Sequence, residues 1–156
     1  MVDEVLYTGN ARVDYIDIRN GMTPLLYAIQ GRHLDIVKLL FREGASRYLA
    51  DFKCVTPLMM AASTGMVQLV EAVGGEYTPS IDDQDENGWT ALHWAVFANS
   101  PVVIDYLLEV LVANRNVRDV DKKKPYHLAS FLNYGDCEAI LIDSKMKMAI
   151  ATGDVD

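Results

Sequence analysis

Residues 87–95 read NGWTALHWA, and versions of this motif recur along the chain. Earlier copies read GMTPLLYA at residues 21–28 and CVTPLMMA at residues 54–61, and a weaker copy reads KKKPYHLA at residues 122–129. The aligned positions 23, 56, 90 and 124 are separated by 33, 34 and 34 residues. A period of this length predicts an array of stacked repeats, because one such unit is too small to bury its apolar face alone.

The composition indicates one folded domain over residues 1–156. Apolar residues make up 51 % of the chain and charged residues 23 %, which is ordinary for a globular protein. The formal net charge of −8 leaves no basic surface, so we expect no nucleic-acid partner. The basic run Lys122 to Lys124 is flanked by Asp119 and Asp121, and we interpret it as a solvated turn.

The sequence also indicates an intracellular location. Two cysteines, Cys54 and Cys137, are too few for a disulfide framework or a zinc site, which favours a reducing compartment. No targeting segment opens the chain, and no apolar run approaches the length of a membrane span. We therefore expect a cytoplasmic protein without membrane insertion, with the nucleus left open as an alternative.

Each copy carries local signals for a pair of helices. Thr23, Thr56 and Thr90 are good N-caps, because a threonine hydroxyl accepts a hydrogen bond from a free amide of the first turn. Pro24 and Pro57 follow at the first helical position, where a missing N–H costs nothing.

The first copy shows the expected course of the whole unit. Residues 25–29 predict a short helix that stops near Gly31, and residues 33–41 predict a second helix that ends at Gly44. The apolar spacing of the second helix predicts four residues on its buried side: Ile36, Val37, Leu39 and Leu40.

These repeats resemble the ankyrin repeat. The match is best in residues 20–45, and residues 54–73 and 85–108 also fit the family consensus. The resemblance implies an all-α fold, an ankyrin-repeat solenoid of stacked helix–turn–helix units with short β-hairpin-like connections. Its register places a partial repeat at residues 1–17, repeats at about 18–50, 51–84, 85–118 and 119–143, and a terminal helix at 144–156.

Three departures from the pattern carry expectations of their own. After Val73 the sequence reads GGEYTP, which predicts a short second helix in the middle repeat. The second helix of the third repeat is expected to be longer and to cover residues 101–113. The fourth repeat has Lys124 in place of the capping threonine and Tyr126 where leucine is usual.

The two ends of the chain look complementary. Residues 1–16 resemble the tail of a repeat, and residues 144–154 resemble the first helix of a repeat whose second helix is absent. The chain is therefore a fragment of a longer array, a rearranged array, or an array with degenerate caps. End-to-end self-association is a further hypothesis, because the C-terminal end of one chain would complete the partial repeat at the N-terminal end of another.

The residues capable of chemistry have structural interpretations. Residues 83–88 fit the first half of a calcium-binding loop, but the twelfth position, which requires glutamate, is Trp94. The resemblance makes His93 and His127 structural, with imidazole hydrogen bonds that join neighbouring repeats. Cys54 occupies a turn position and Cys137 a core position, so we expect no catalysis, metal or cofactor.

The resemblance also implies a binding surface on the concave side, at the connections and on the first helices. Its register assigns partner contacts to Arg19, Asn20, Met22, Gln30, Phe52, Lys53, Val55, Ser63, Thr64, Glu86, Asn87, Trp89, Phe97, Asp121, Lys123 and Phe131, with Ala98 and Leu132 beside them. Several of these are apolar or aromatic, and exposed apolar patches mark interfaces; packing of Phe97 and Phe131 between repeats is the alternative. The acidic residues around Trp89 favour a partner with a basic or mixed segment, with a solvated loop as the alternative: Asp82, Asp83, Asp85 and Glu86.

The function that this register implies is a non-catalytic protein–protein interaction module, a scaffold or adaptor that binds a protein or peptide on the concave face. Two alternatives stay open. The array is a regulatory segment of a larger multidomain protein (an enzyme, a membrane protein or a germline scaffold protein), or it is a self-associating array joined through its termini.

Overall fold

The structure is a computed structural model that describes residues 13–75 and 80–142. Within these residues the chain forms eight helices and no strand, so the all-α prediction is confirmed. The expectations for the two chain ends fall outside the described residues, and the repeat boundaries stay a prediction. The helices are α1 (Pro24–Gln30), α2 (Leu34–Arg42), α3 (Pro57–Ser63), α4 (Val67–Gly74), α5 (Ala91–Phe97), α6 (Pro101–Glu109), α7 (Pro125–Phe131) and α8 (Gly135–Leu141).

The helices form two layers. Helices α1, α3, α5 and α7 stack side by side in the first layer, and α2, α4, α6 and α8 stack behind them. Each first-layer helix also packs against the second-layer helix that follows it in the chain. This arrangement is the predicted solenoid of helix–turn–helix units, and no described helix is long and apolar enough to cross a membrane.

The predicted caps begin three of the four first-layer helices. The hydroxyl oxygens of Thr23, Thr56 and Thr90 accept hydrogen bonds from backbone amides of their first turns at 3.2, 3.2 and 3.4 Å. In the fourth copy the Lys124 side chain makes no such bond. Instead, Nδ1 of His127 accepts a hydrogen bond from the Lys124 amide at 3.0 Å, which caps the helix from inside its first turn.

The core lies between the two layers and follows the helical period. Val37 and Leu40 of α2 are fully buried, as predicted. Leu39 is only half-buried, and the prediction that Ile36 is buried is wrong because Ile36 is 36 % exposed. A spacing of three residues keeps Val37 and Leu40 on one face, while Ile36 lies about 100° around the helix from Val37.

The second helix of the third copy is shorter than predicted. It ends at Glu109 rather than near residue 113, and Val112 beyond it takes a left-handed backbone conformation with φ of 57°, which a continuing helix could not contain. The middle copy has the expected short second helix, which ends at Gly74. Gly75 follows it with φ of 63°, and its amide donates to the Glu71 carbonyl oxygen.

Each connection between repeats closes through a backbone hydrogen bond. An aspartate amide donates to the carbonyl oxygen that precedes the next first-layer helix, at 2.9 to 3.1 Å. The pairs are Asp17 with Met22, Asp51 with Val55, Asp85 with Trp89, and Asp119 with Lys123. The first connection contains one residue more than the other three, which accounts for the spacing of 33 rather than 34 between Thr23 and Thr56.

Neighbouring connections are also joined to each other by backbone hydrogen bonds. Their donor and acceptor pairs are Phe52 N–H to Asn20 C=O at 3.0 Å, Glu86 N–H to Lys53 C=O at 3.0 Å, and Val120 N–H to Asn87 C=O at 3.1 Å. Because each bond links one repeat to the next, the three bonds form a continuous row along the concave edge of the stack.

Two side-chain contacts recur every second repeat. A guanidinium nitrogen of Arg47 donates to the carbonyl oxygens of Ala72 and Val73 at 2.6 and 2.9 Å, at the end of α4 in the next repeat. Arg115, which lies 68 residues later, contacts the end of α8 in the same way. A cation at a helix C-terminus is favourable because it neutralises the free carbonyl groups there.

Close approach between connections requires small residues at their turns. Gly21 and Gly88 have φ of 78° and 75°, and a Cβ atom at Gly88 would lie 2.7 Å from the backbone nitrogen of Val120. Cys54 occupies the same turn position with φ of 62°, as the sequence predicted, and Lys122 does so with φ of 63°. These two residues hold a conformation that L-amino acids with a Cβ disfavour.

Exchanging residues at this turn position is expected to change stability in opposite directions. Gly88→Ala should lower the free energy of unfolding by roughly 2 kcal/mol or more, because it adds left-handed strain and a contact with backbone atoms. Cys54→Gly should raise it by about 0.5–1 kcal/mol by removing strain. Urea unfolding followed by circular dichroism measures both, and a neutral Gly88→Ala would contradict the role of the glycine.

Candidate binding groove

Most of the predicted contact residues are exposed, but not all. Arg19, Asn20, Gln30, Phe52, Lys53, Glu86, Asn87, Phe97, Asp121, Lys123 and Phe131 are exposed, whereas Val55, Ser63, Thr64 and Trp89 are half-buried. Met22 is only 6 % exposed, so its predicted place on the exposed surface is wrong. Met22 immediately precedes its capping threonine, as Val55 and Trp89 do, but its side chain is buried where those two are half-buried.

The predicted residues of the first connection are engaged with each other. The Arg19 guanidinium forms a forked pair with the Asp17 carboxylate at 2.9 and 2.7 Å, and the Asn20 amide donates to the Tyr27 hydroxyl at 3.0 Å. Tyr27 in turn donates to Asp17 at 2.6 Å. These hydrogen bonds from Arg19 and Tyr27 hold the pKa of Asp17 well below its usual range.

Two further predicted residues use their hydroxyl groups within their own helix. Ser63 donates to the carbonyl oxygen of Met60 at 2.7 Å, and Thr64 donates to that of Ala61 at 2.6 Å. Their hydroxyl protons are therefore already committed to the end of α3. In a partner site these two residues would contribute by their shape rather than by donating hydrogen bonds.

The third repeat presents a cluster of aromatic rings. The ring centroids of Trp89 and Trp94 are 5.0 Å apart with an edge-on arrangement, and those of Trp89 and Phe97 are 5.6 Å apart. Trp94 and Phe97 meet edge-on at 6.1 Å. Phe97 is 53 % exposed, so it does not pack between repeats as the alternative interpretation held. The same is true of Phe131, which is 82 % exposed.

A buried carboxylate fixes this cluster to the connection beneath it. One oxygen of Asp85 accepts hydrogen bonds from the amides of Asn87 and Trp89 at 2.9 and 3.0 Å. Its other oxygen accepts a hydrogen bond from the indole N–H of Trp94 at 2.9 Å. Asp85 is 7 % exposed, and its carboxylate makes these hydrogen bonds within the protein. Across residues 13–75 and 80–142, no group of three potential ligands could hold a metal ion.

Two adjoining open grooves run over the cluster, and they share Trp89 and Asp121. The larger has a volume of about 570 Å³ and lies between the third and fourth repeats, lined by Trp89, Asp119, Asp121, Lys123, Tyr126, His127, Leu128, Ser130 and Phe131. The smaller has a volume of about 370 Å³ and is lined by Asn87, Trp89, Trp94, Phe97, Val120 and Asp121. The structure thus brings together predicted contacts from both repeats on one concave surface.

His93 joins the third repeat to the fourth, as predicted. Its Nδ1 accepts a hydrogen bond from the Thr90 amide at 3.2 Å, so Nε2 carries the proton and donates it to the Lys123 carbonyl oxygen at 3.1 Å. The side chain is fully buried, and burial lowers its pKa. The histidine is therefore a structural tie behind the groove rather than a group that faces it.

The cysteines do not contribute to the groove. Cys54 is exposed at its turn, and Cys137 is buried in α8, where its thiol donates to the Asn99 side-chain oxygen at 3.4 Å. Burial raises the pKa of the Cys137 thiol. A thiol of raised pKa is a poor nucleophile, because the thiolate is the reactive form.

The sequence contained a signal for the connection aspartates that the motif comparison missed. Aspartate recurs every 34 residues at positions 17, 51, 85 and 119. The carboxylates of Asp51 and Asp119 each accept two backbone amides of their own turn at 2.9 Å, as that of Asp85 does. Neither the calcium-loop motif at residues 83–88 nor the acidic run around Trp89 indicates that Asp85 holds the aromatic cluster.

The stacked helix–turn–helix units and joined connections define a repeat solenoid, and comparison with known proteins gives its family. A family model described as ankyrin repeats (three copies) matches residues 1–77 and 58–151. The chain belongs to the ankyrin-repeat family.

Several characterised proteins contain a similar region. Inversin from Homo sapiens is 26 % identical over 169 residues, which covers 86 % of this chain and 16 % of inversin. The probable 26S proteasome regulatory subunit p28 from Saccharomyces cerevisiae is 33 % identical over 92 residues, covering 58 % of this chain and 40 % of that protein. The 2-5A-dependent ribonuclease from Homo sapiens is 41 % identical over 64 residues, covering 41 % and 9 %. The chain thus spans less than half the length of each.

Replacing the buried carboxylate is expected to destabilise the third repeat. Asp85→Asn should lower the free energy of unfolding by about 1.5–3 kcal/mol, because an amide cannot accept from both the backbone amides and the Trp94 indole. Asp83→Asn makes the same change of charge at an exposed neighbour and should stay within about 0.5 kcal/mol of the wild type. Equal urea midpoints for the two variants would contradict this role of Asp85.

Stability should also depend on the protonation of His93. Because burial lowers the folded-state pKa of His93, the unfolded state binds its proton first as the pH falls. The histidine's contribution is complete above its ordinary pKa of 6.5 and decreases as the pH falls from there towards the lowered value. Urea unfolding between pH 8 and pH 5 should show a smaller loss of stability for His93→Gln than for the wild type, and equal losses would refute this linkage.

Proposed function

We propose that this array is a non-catalytic interaction module that binds a protein or peptide along its concave face. The observation that supports the proposal is an aromatic surface formed by the exposed Phe97 and Phe131 and the half-buried Trp89. Phe97 borders the smaller groove, Phe131 borders the larger one, and Trp89 borders both. Aromatic side chains are suited to binding because they bury a large area and lose little rotamer freedom. The predicted contacts at the other connections would extend this surface.

The rings are mounted on a scaffold that restricts their movement. Trp94 is hydrogen-bonded to Asp85, and Asp85 is held by two amides of its own turn. The Lys123 carbonyl beside the larger groove is held by His93. A surface fixed in this way loses little conformational entropy when a partner binds, so more of the contact energy contributes to affinity.

A peptide selection tests the proposal. Peptides enriched from a random phage-displayed library on the immobilised protein are synthesised with a fluorophore, and their affinities are measured by anisotropy. Phe97→Ala and Phe131→Ala should each weaken binding by more than about 1 kcal/mol, as expected for central aromatic contacts. The control Val102→Ala removes an exposed apolar side chain from α6, outside both grooves, and should leave the affinity unchanged.

The result that would overturn the proposal is a set of peptides whose binding is the same for all three variants. Circular dichroism and urea unfolding of each variant separate a lost contact from a lost fold. Phe97 and Phe131 are preferred to Trp89 for this test because they are exposed, whereas Trp89 is half-buried and packs against the rings of His93, Trp94 and Phe97.

A second proposal concerns the context in which the module works: a regulatory ankyrin segment within a larger protein. It is favoured by the coverage of the relatives, since this chain matches only 16 % of human inversin and 9 % of the ribonuclease. Self-association through the chain ends is the remaining alternative, and it concerns residues outside those that the structure describes. Light scattering over a wide range of concentrations tests it, because a constant monomer mass would refute it.

A further inference from the structure

We propose that the smaller groove receives an arginine side chain of the bound peptide, with the guanidinium stacked on the aromatic rings and paired with Asp121. This inference rests on the proposed function and specifies the chemistry of the partner. It is carried by the ring geometry, the charge of the lining residues and the free carboxylate at the rim.

The charge of the smaller groove favours a cation. Its lining consists of three aromatic side chains together with Asn87, Val120 and Asp121, and Asp121 is the only formally charged member. Lys123 borders the larger groove but not the smaller one. A partner cation would therefore meet a carboxylate without a competing lysine in the lining, on a chain whose net charge is −8.

Asp121 is available for such a pair. Its side chain is exposed, and within residues 13–75 and 80–142 its carboxylate neither accepts a hydrogen bond nor forms an ion pair. Asp119 has a different role, because its carboxylate accepts the backbone amides of Asp121 and Lys123. Asp119 thus stabilises the turn, and the carboxylate of Asp121 is free to bind a partner.

The aromatic rings also favour a cation. The face of an indole or phenyl ring carries partial negative charge, which attracts cations placed over it. The Trp94 indole N–H donates to the Asp85 carboxylate at 2.9 Å, so a negative charge lies directly against the edge of this ring. That hydrogen bond polarises the indole and leaves its face more attractive to a cation.

The spacing of the rings selects among cations. The centroids of Trp89, Trp94 and Phe97 are only 5.0 to 6.1 Å apart, so the rings touch one another instead of surrounding a space. A quaternary ammonium group is rounded, so a site that binds it needs aromatic ring faces on several sides of the cation. A planar guanidinium needs one ring face for stacking and a carboxylate for its forked N–H groups, and the lining includes the exposed Phe97 and Asp121.

Both contacts already occur elsewhere in the chain. The Arg47 guanidinium carbon lies 4.0 Å above the centroid of the Phe41 ring. The Arg19 guanidinium grips the Asp17 carboxylate with two nitrogens at 2.9 and 2.7 Å. The proposed site combines these two modes for an arginine supplied by the partner.

The tryptophan content permits a direct test. The chain contains two tryptophans, Trp89 and Trp94; both border the smaller groove and Trp89 also borders the larger one, so intrinsic fluorescence reports on binding at this surface. The protein is titrated with N-acetyl-arginine amide, with its neutral isostere N-acetyl-citrulline amide and with N-acetyl-lysine amide. We expect a saturable fluorescence change with the arginine probe and at least fivefold weaker binding of the other two.

Matched variants locate the interaction. Asp121→Asn should weaken binding of the arginine probe at least threefold, whereas Asp105→Asn, which makes the same change of charge at an exposed residue of α6 outside both grooves, should not. Equal responses to arginine and citrulline, equal effects of the two variants, or no saturable change would each overturn the inference. Circular dichroism confirms that both variants fold.

The peptides selected for the proposed function separate the two ideas. Replacing the arginine of a selected peptide with citrulline should weaken binding to the wild type at least fivefold and to Asp121→Asn much less. Peptides that depend on Phe97 and Phe131 but not on any arginine would leave the proposed function standing and overturn this inference. Saturable, Asp121-dependent binding of the arginine probe without any groove-dependent peptide would support this site while the proposed function fails.

Discussion

The connections between repeats depend on aspartate carboxylates that accept hydrogen bonds from backbone amides of their own turns. Asp51, Asp85 and Asp119 each bind two such amides, and the turn is closed by a further backbone bond from the aspartate's own amide. Because these bonds fix the turn, its remaining amides and carbonyls are aligned for the bonds that join neighbouring connections. The row of backbone hydrogen bonds between neighbouring connections therefore depends on one aspartate side chain in each repeat.

The binding surface is an extension of the same interaction. In the third repeat the second oxygen of Asp85 binds the Trp94 indole, and Trp94 packs against Trp89 and Phe97. Behind the surface, His93 ties the third repeat to the carbonyl of Lys123 in the fourth. The grooves are thus formed by groups whose positions are set by the stacking of repeats.

The helices were predictable because their signals are local. A threonine followed by proline and an apolar run specifies the start of α1 and α3 without reference to the rest of the chain. The exposure of individual side chains was less predictable. Met22 is buried although the register placed it on the surface, and Val112 has a left-handed conformation in the segment that was predicted to continue α6. Neither effect has a periodic signature in the sequence.

The candidate site could be located from the sequence but not understood from it. The register indicated Trp89, Phe97 and Phe131, since positions one period apart lie on one surface. The bond between Asp85 and Trp94 could not be inferred, because it joins a connection to a helix nine residues later and needs the turn's geometry. The same holds for Arg47 and Arg115, whose spacing of two periods is not visible when single repeats are compared.

The row of hydrogen bonds between connections consists of backbone atoms only. Residues that contribute to it, such as Lys53 and Glu86, provide backbone amides or carbonyls to the scaffold while their side chains are exposed. Substitutions at these positions change what the surface presents without changing what holds it together. Selection can therefore alter the recognition properties of this chain one residue at a time, while the architecture beneath is inherited intact.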